Sequence, residues 1–196
     1  MIFSGSVIKE RNGLIQGIVG ISRDITDRKR IEEELRALSL VDELTGLYNR
    51  RGFMTLARHQ QKISVRTGKK MLFFYADVDD FKKINDNYGH DAGDAALIAT
   101  AKILKETFRS SDITARMGGD EFVVLALEIP APGSEQVEAG LWERIRLKLA
   151  ELAFPFVLSL SVGMVCCDPK DSFSIEELLA KADRAMYDQK MRRKKD

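Results

Sequence analysis

The sequence predicts an α/β sandwich in which strands and helices alternate and one pair of strands forms a hairpin. Three short apolar runs have the length and composition of buried strands: Met71–Ala76, Ile113–Met117 and Phe122–Leu127. A fourth run, Phe156–Met164, is typical of a central strand. Apolar residues also recur at helical spacing, at Leu97, Ala101, Leu104 and Phe108 and again at Val137, Leu141, Ile145, Leu149 and Leu152. A capping box over Ser174–Glu177 predicts the start of the last helix.

The amino-terminal residues predict a separate element. Two strand-like runs within Val7–Ile21 flank Asn12-Gly13, a dipeptide that favours a tight hairpin turn. Asp24-Ile25-Thr26 follows at once. This ending is similar to the closing strands and exit motif of PAS sensor domains, so we expect residues 1–27 to be the C-terminal tail of a PAS (PAC) domain. Such a tail is too short to enclose a ligand pocket, and we expect the chain to be part of a longer sensor protein.

Residues 28–41 predict a linker helix, because they are mostly good helix formers. Ile31, Leu35 and Leu38 lie on one stripe with a spacing of four and then three. Such a stripe could form a parallel coiled coil that transmits a sensor signal by setting how two following domains meet. An ordinary amphipathic connector fits the same residues equally well.

The pentapeptide Gly118-Gly119-Asp120-Glu121-Phe122 carries the most information about chemistry. Its two glycines permit a tight turn with positive φ and leave room for another molecule to approach the backbone. Adjacent carboxylates at such a turn suit phosphate groups bridged by divalent cations. Taken alone, the same five residues would also fit an ordinary solvated hairpin.

A second acidic block follows the first predicted strand. Asp77 stands at the carboxyl end of that strand, where open α/β sheets place ligands. If its strand neighbours the strand of Asp120, the two carboxylates can share metal ions. Asp79 or Asp80 could instead cap the following helix. Asn and Asp side chains within 82–94 can read a guanine edge, although in isolation this stretch is only a polar turn.

The order of these motifs resembles that of GGDEF-domain diguanylate cyclases, the bacterial family that makes cyclic di-GMP from two GTP. The resemblance extends from Asp42 to Lys190, so we expect the cyclase domain to span 42–196. The matching motifs are DELTGLYNRR at 42–51, DVDDFK at 77–82, ND at 85–86, YGH at 88–90, GD at 93–94, Arg116, the pentapeptide, SVG at 161–163 and ADRAMY at 182–187.

This resemblance implies the palm-like nucleotidyl-cyclase fold, an α/β (α+β) fold with a central, mostly antiparallel sheet flanked by helices. It also implies a metal-dependent site with two Mg²⁺ or Mn²⁺ ions per active half-site. Asp77 and Asp120 match the carboxylates that hold the metals, and the backbone carbonyl of Val78 matches a further contact. Glu121 matches a further ligand or proton acceptor, so the implied catalytic residues are Asp77, Asp120 and Glu121.

The resemblance also assigns substrate contacts. The implied positions are the guanine readers Asn85 and Asp94, the phosphate contacts Lys82 and Lys190, and the backbone beneath the phosphates at Gly118 and Gly119. The sequence departs from the family after its last helix, where Gly-Arg-Asn usually stands. Lys194 falls at the arginine position and would replace it without the planar guanidinium fork.

Regulation and assembly follow from the same family pattern. Arg109 and Asp112 have the spacing of the RxxD site at which the product inhibits the enzyme, and an arginine there can bind phosphate or a guanine edge. An ordinary helix end with a polar exit turn fits these residues too. Each chain of the family holds one GTP, which implies that a homodimer is needed for catalysis.

Composition excludes several other classes. The net charge of +1 gives no electrostatic case for nucleic-acid binding. No apolar run in the chain is long enough to span a membrane, so we expect a cytoplasmic location, although a longer parent protein could be membrane-attached. Cys166 and Cys167 are adjacent and offer no disulfide framework. We therefore expect a product-inhibited diguanylate cyclase that is the output domain of a bacterial sensor. The alternatives are a catalytically silent receptor for GTP or cyclic di-GMP, or a dimerisation module.

Overall fold

The computed structural model describes residues 2–9, 15–23, 39–129, 134–171 and 173–193. The chain divides into two compact units, Met1–Ser39 and Leu40–Asp196. In the first unit, strands β1 (Ile2–Lys9) and β2 (Ile15–Arg23) pair antiparallel, which confirms the two predicted amino-terminal strands. The Asn12-Gly13 turn, the exit motif at 24–26 and the linker stripe at 31–38 lie outside the described residues. The PAS tail and the coiled coil therefore stay predictions.

The second unit alternates helices and strands. Its elements are α1 (Arg50–Thr67), β3 (Lys70–Val78), α2 (Phe81–Tyr88), α3 (His90–Thr107), β4 (Ile113–Gly118), β5 (Glu121–Ile129), α4 (Ser134–Ala150), β6 (Leu160–Cys167) and α5 (Ile175–Arg193). The strands form a four-stranded sheet in the order β4-β5-β3-β6. Every pairing in that sheet is antiparallel, which confirms the predicted α/β (α+β) fold with helices flanking an antiparallel sheet.

One strand prediction is wrong in position and extent. β6 begins at Leu160 rather than Phe156, and it lies at one end of the strand order rather than at its centre. The rings of Phe154 and Phe156 stack on each other with centroids 5.0 Å apart. The Tyr88 hydroxyl donates to the carbonyl oxygen of Pro155 at 3.2 Å. These contacts hold the segment before β6 without sheet pairing. Its apolar composition is nevertheless typical of a strand, which explains the wrong prediction.

The sheet separates two apolar clusters because successive side chains of a strand point to opposite faces. Leu72 and Phe74 face the cluster that contains the buried residues of α3 and α4, and the Phe74 ring packs on Phe108 at 5.3 Å. The predicted stripe on α3 is buried as expected. Phe73 and Tyr75 face the other cluster, which includes residues of α1 and α5. Asp77 continues this second face, so α5 lies on the same side of the sheet as the predicted catalytic carboxylate.

Two local signals at helix starts are satisfied. Ser174 and Glu177 form the predicted capping box at the start of α5, each accepting a backbone N–H of the other at 2.8 and 3.1 Å. At α1, the Asn49 side chain accepts the Gly52 N–H at 2.9 Å. Among the described residues, no helix is both long and apolar enough to cross a membrane.

Candidate active site

The turn between β4 and β5 has the geometry that its glycines predict. Gly118 and Gly119 have φ values of 148° and 52°, a region that favours glycine. A Cβ at either glycine would meet nothing within 4 Å, so the space beside the turn is open. The backbone N–H of Val78 donates to the carbonyl oxygen of Asp120 at 3.2 Å, which ties the turn to the end of β3.

The acidic residues at the end of β3 and the start of β5 face each other. Asp77 pairs with Glu121 across the antiparallel ladder, which satisfies the condition that their strands be neighbours. Side chains of such a directly opposed pair lie on the same face of the sheet, with Cβ atoms about 4.5–5.5 Å apart. Asp120 precedes Glu121 in the turn and is partly buried, as are both paired acids. The fold therefore brings these three predicted catalytic residues to one edge of the sheet.

Burial and, to a smaller extent, mutual repulsion raise the pKa of two of these acids. Burial raises the pKa of Asp77, and the charges on Asp120 and Asp79 raise it further against the opposing effect of Lys190. Burial also raises the pKa of Glu121, as do the charges on Asp183, Asp120 and Asp77, while a hydrogen bond from Tyr75 opposes the rise. A bound cation would relieve this repulsion.

Lys190 of α5 reaches this acidic group. Its ammonium forms an ion pair with the Asp77 carboxylate, and the two side chains are 26% and 13% exposed. The neighbouring Gln189 side chain accepts the Val162 N–H of β6 at 2.6 Å. Lys190 is thus held beside Asp77 at the end of β3.

Helix α5 approaches the sheet very closely at one glycine. A Cβ on Gly163 would lie 2.0 Å from the Ala182 carbonyl oxygen and 2.4 Å from the Met186 backbone nitrogen. Any side chain at this position of β6 would therefore push the helix away.

The oxygen donors at this edge fit a hard divalent cation in their chemistry, since Mg²⁺ and Mn²⁺ prefer carboxylate and carbonyl oxygen. As they stand, no three His, Cys, Asp or Glu side chains among the described residues converge closely enough to hold a metal ion. The Lys190 ammonium lies against Asp77. Metal binding through Asp77, Asp120 and Glu121 therefore requires side-chain movement at this edge.

The alternative assignment of Asp79 and Asp80 as side-chain caps of α2 is wrong. Asp80 occupies the N-cap position with a left-handed φ of 53°, but its side chain makes no capping hydrogen bond. The Asp79 carboxylate instead accepts from the hydroxyls of Ser159 at 2.7 Å and Ser161 at 2.5 Å. These bonds fasten the loop after β3 to Ser161 of β6 and to Ser159, which immediately precedes β6.

The predicted guanine readers lie on the packed helices α2 and α3. A Cβ on Gly93 would lie 2.0 Å from the Asn85 Oδ1 atom, so the amide of Asn85 rests directly against the backbone of α3. Asp94 follows Gly93 and is exposed. Lys82 is exposed in the first turn of α2. Lys194 lies outside the described residues.

Comparison with known proteins identifies the family. The sequence model for "Diguanylate cyclase, GGDEF domain" matches residues 39–196. The chain belongs to the GGDEF diguanylate cyclase family. Diguanylate cyclase DgcM of Escherichia coli (strain K12) is 34% identical over 167 residues, which are 85% of this chain and 40% of that protein.

Two further relatives show the breadth of the GGDEF family. The cyclic di-GMP phosphodiesterase PdeR of Escherichia coli (strain K12) is 34% identical over 164 residues, which are 84% of this chain and 24% of that protein. The crystal structure of a sensory box/GGDEF family protein from Caulobacter crescentus superposes with a TM-score of 0.70 at 32% identity, covering 78% of this chain and 99% of that chain. The chain spans less than half the length of the curated relatives it matches.

In this GGDEF domain the Arg109–Asp112 segment forms a closed turn after α3. One oxygen of the Asp112 carboxylate accepts the Arg109 N–H at 2.9 Å, and the other accepts the Leu127 N–H at 3.0 Å. The Arg109 side chain is exposed and lines a cavity of ≈ 540 Å³ that Asp112 and α4 also line. Asp112 shapes the turn, and Arg109 is the member of the pair that is exposed to solvent.

Sequence reasoning missed the role of Arg116. Its guanidinium donates to the carbonyl oxygen of Gly119, in the GGDEF turn, and to the carboxylate of Asp42. Burial raises the pKa of Asp42, but hydrogen bonds from Thr45 and the positive charge of Arg116 outweigh it and leave the pKa below its usual value. Both residues lie in motifs of the family, but no spacing rule links positions so far apart in the chain.

Proposed function

We propose that this chain is a diguanylate cyclase domain that condenses two GTP into cyclic di-GMP and releases two pyrophosphate. The observation that carries the proposal is the pairing of Asp77 with Glu121 beside the glycine turn. The name of the relative DgcM supports the activity. The name of the phosphodiesterase PdeR is weaker evidence against this activity, because this chain corresponds to 24% of PdeR but to 40% of DgcM.

The reaction comprises two attacks: the 3′-hydroxyl of each GTP attacks the α-phosphate of the other, and each attack expels one pyrophosphate. Two divalent cations, when bound by Asp77, Asp120, Glu121 and the Val78 carbonyl, would neutralise phosphate charge and lower the pKa of the attacking hydroxyl. Glu121 is proposed to serve as a further cation ligand or as the acceptor of the hydroxyl proton. Gly118 and Gly119 leave open space in which the phosphates can approach the backbone.

Lys190 is proposed to exchange one anionic partner for another. In the described structure it pairs with Asp77. When a triphosphate binds, the ammonium can move to a phosphate oxygen and free the carboxylate for a cation. Lys82 and Lys194 are proposed as further phosphate contacts.

Guanine recognition is assigned to Asn85 and Asp94. An amide can donate and accept along the guanine edge, while a carboxylate accepts from N1 and the 2-amino group. The contact between Asn85 and Gly93 fixes where the amide lies, and Asp94 is the next residue of α3. Adenine presents no donor at N1 and would leave the Asp94 carboxylate unpaired.

If each chain holds one GTP, as the family resemblance implies, two chains must cooperate, because the attacking hydroxyl and the α-phosphate belong to different GTP molecules. We propose a homodimer in which two such half-sites face each other. The predicted PAS tail at 1–27 and linker at 28–41 would bring the two domains together in response to a sensor, which makes this domain the output of a longer protein.

Product inhibition is proposed at Arg109 and Asp112. The exposed Arg109 guanidinium can form paired hydrogen bonds with a phosphate or a guanine edge of cyclic di-GMP. Asp112 holds the turn that presents Arg109. Inhibition at this site would limit the amount of product that the cyclase accumulates.

The test is turnover of GTP by the purified chain, freed of bound nucleotide, with Mg²⁺ present. Cyclic di-GMP is quantified by chromatography, with Asp120→Ala as the matched variant. We expect product from the wild type and at least a 100-fold lower rate from the variant, on the order of the loss when a catalytic charge contact is removed. Tight binding of GTP or cyclic di-GMP by a dimeric chain without turnover would refute the cyclase and favour a receptor.

A further inference from the structure

Tyr75 is an unexpected residue in its setting. It follows Met71 and Phe73 on the face of β3 that packs against α1 and α5, and only 8% of it is exposed. A phenylalanine would fill the same apolar cluster. Tyrosine instead brings a hydroxyl group into it, which costs free energy unless the hydroxyl finds a hydrogen-bond partner.

The register of the sheet supplies that partner. Tyr75 pairs with Val123, and two residues further along β3 Asp77 pairs with Glu121. Tyr75 and Glu121 are therefore diagonal neighbours on one face, a separation that an aromatic and a long side chain can span. The Tyr75 hydroxyl is therefore within reach of the Glu121 carboxylate, and this interaction opposes the rise in the pKa of Glu121.

The chemistry of this donor suits a residue that must keep its charge. Glu121 is close enough to Asp77, Asp120 and Asp183 for the negative charges of all three to repel its carboxylate. A lysine or arginine donor would neutralise the carboxylate, as Lys190 does for Asp77. A phenol can donate a hydrogen bond without bringing a positive charge, so it can orient the Glu121 carboxylate without neutralising it.

We propose that Tyr75 is a positioning residue for Glu121, holding its carboxylate in the orientation in which it meets a substrate-associated divalent cation. The inference rests on the proposed function, since that function makes Glu121 a cation ligand. Tyr75 itself touches neither substrate nor metal in this arrangement. Its hydroxyl acts only through Glu121.

The experiment compares Tyr75→Phe with Tyr88→Phe, which removes the hydroxyl of an exposed tyrosine bonded to the Pro155 carbonyl. Mn²⁺ binding is measured by electron paramagnetic resonance in the presence of a non-hydrolysable GTP analogue. We expect Tyr75→Phe to weaken Mn²⁺ binding about tenfold, as removal of a group that orients a metal ligand does. Tyr88→Phe should leave Mn²⁺ binding unchanged, and both variants should bind the metal-free analogue as the wild type does.

A second pair of variants tests whether the effect passes through Glu121. In a Glu121→Gln background, Tyr75→Phe should cause no further loss of Mn²⁺ affinity, because the group that it orients is no longer a ligand. An equal loss in both backgrounds, or a loss below twofold in the wild-type background, would overturn the proposal. If the Mn²⁺ results are as expected but no variant or wild type makes cyclic di-GMP, the proposed function fails while the role of Tyr75 stands.

Discussion

The guanidinium of Arg116 donates two hydrogen bonds to the carbonyl oxygen of Gly119, at 2.9 and 2.7 Å. Its remaining nitrogen lies 3.3 Å from the Asp42 carboxylate, and the side chains of Arg116 and Asp42 are only 14% and 24% exposed. The glycine turn beside the proposed catalytic acids is therefore held by a planar side chain that is bonded to Asp42 at the start of the domain.

Replacing Arg116 with lysine should loosen this turn, because an ammonium cannot make the same paired contacts. We expect Arg116→Lys to lower the free energy of unfolding by about 1–3 kcal/mol and to reduce cyclase activity. Urea denaturation measures the free energy of unfolding, hydrogen exchange measures the loosening of the turn, and production of cyclic di-GMP measures the activity. The control is Arg146→Lys, whose partner Glu143 is exposed and lies 2.7 Å away. Equal losses in both variants would contradict the role given to Arg116.

Substitution of Gly93 separates guanine recognition from stability. In Gly93→Ala the new methyl must displace the Asn85 side-chain oxygen, which the Asn85 side chain can accommodate by changing its rotamer. The gain in helix propensity, about 1 kcal/mol, offsets the strain, so stability should change little. We expect the GTP dissociation constant to rise about tenfold, the loss of one or two hydrogen bonds.

Gly140→Ala is the matched control for this variant. Gly140 lies in α4, and a Cβ there would meet nothing within 4 Å. It should stabilise the domain and leave GTP affinity unchanged, as judged by calorimetric titration. Unchanged GTP affinity in Gly93→Ala would argue against Asn85 as a guanine reader.

The raised pKa of Glu121 predicts a pH-dependent cost in stability. Because burial and the neighbouring acids raise its pKa above the ordinary 4.5, the folded chain binds this proton more tightly than the unfolded chain does. The contribution to stability is complete below pH 4.5 and is lost as the pH rises through the raised value. Without metal, Glu121→Gln should therefore be more stable than the wild type at neutral pH, by less than about 1 kcal/mol because the site is solvent-screened.

The difference should vanish in denaturation curves taken below the ordinary glutamate pKa. Saturating Mg²⁺ with a GTP analogue should reverse the ranking at neutral pH, since only the wild type gains the full binding energy of the cation. Glu151→Gln, which removes the same charge from an exposed position after α4, is the control and should show neither effect. A wild type that is the more stable protein at neutral pH without metal would contradict this account.

Product inhibition should depend on Arg109 and not on nearby positive charge in general. We expect Arg109→Ala to raise the cyclic di-GMP concentration that halves the rate by about tenfold or more, the loss of a charge-assisted hydrogen bond. Arg109 is the cleaner target, because loss of Asp112 would also release the two backbone N–H groups that its carboxylate accepts. The control is Lys102→Ala, at an exposed position of α3. In the same rate assay, cyclic di-GMP should inhibit this variant as strongly as it inhibits the wild type.

The strands around the site could be predicted because each is a self-contained apolar run. β3, β4 and β5 extend the predicted runs by no more than two residues at either end. β6 could not be located in the same way, since Phe154 and Phe156 are apolar for a reason unrelated to the sheet. Local pattern identifies what is buried but not which partner buries it.

The side-chain contacts of the site depend on register and packing, which the sequence does not display. A shift of one residue between β3 and β5 would have turned Glu121 away from Asp77. The pair Lys190–Asp77 joins residues 113 positions apart, and it exists only because α5 packs on the face of β3 that Asp77 occupies. Arg116 and Asp42 are likewise 74 positions apart. The residue types were readable from the chain, whereas these partnerships were not.

The contact at Gly163 fixes how far α5 stands from the sheet. Where two backbones touch, there is no compressible layer of side chains between them, and the helix has one permitted depth. Asp183 and Lys190 project from that helix towards acids carried by β3 and β5. The absence of a side chain at Gly163 thus sets the distance between the residues of α5 and the acids of the sheet. A chain with every acid intact but a larger residue at position 163 would hold Asp183 and Lys190 too far from the acids of β3 and β5.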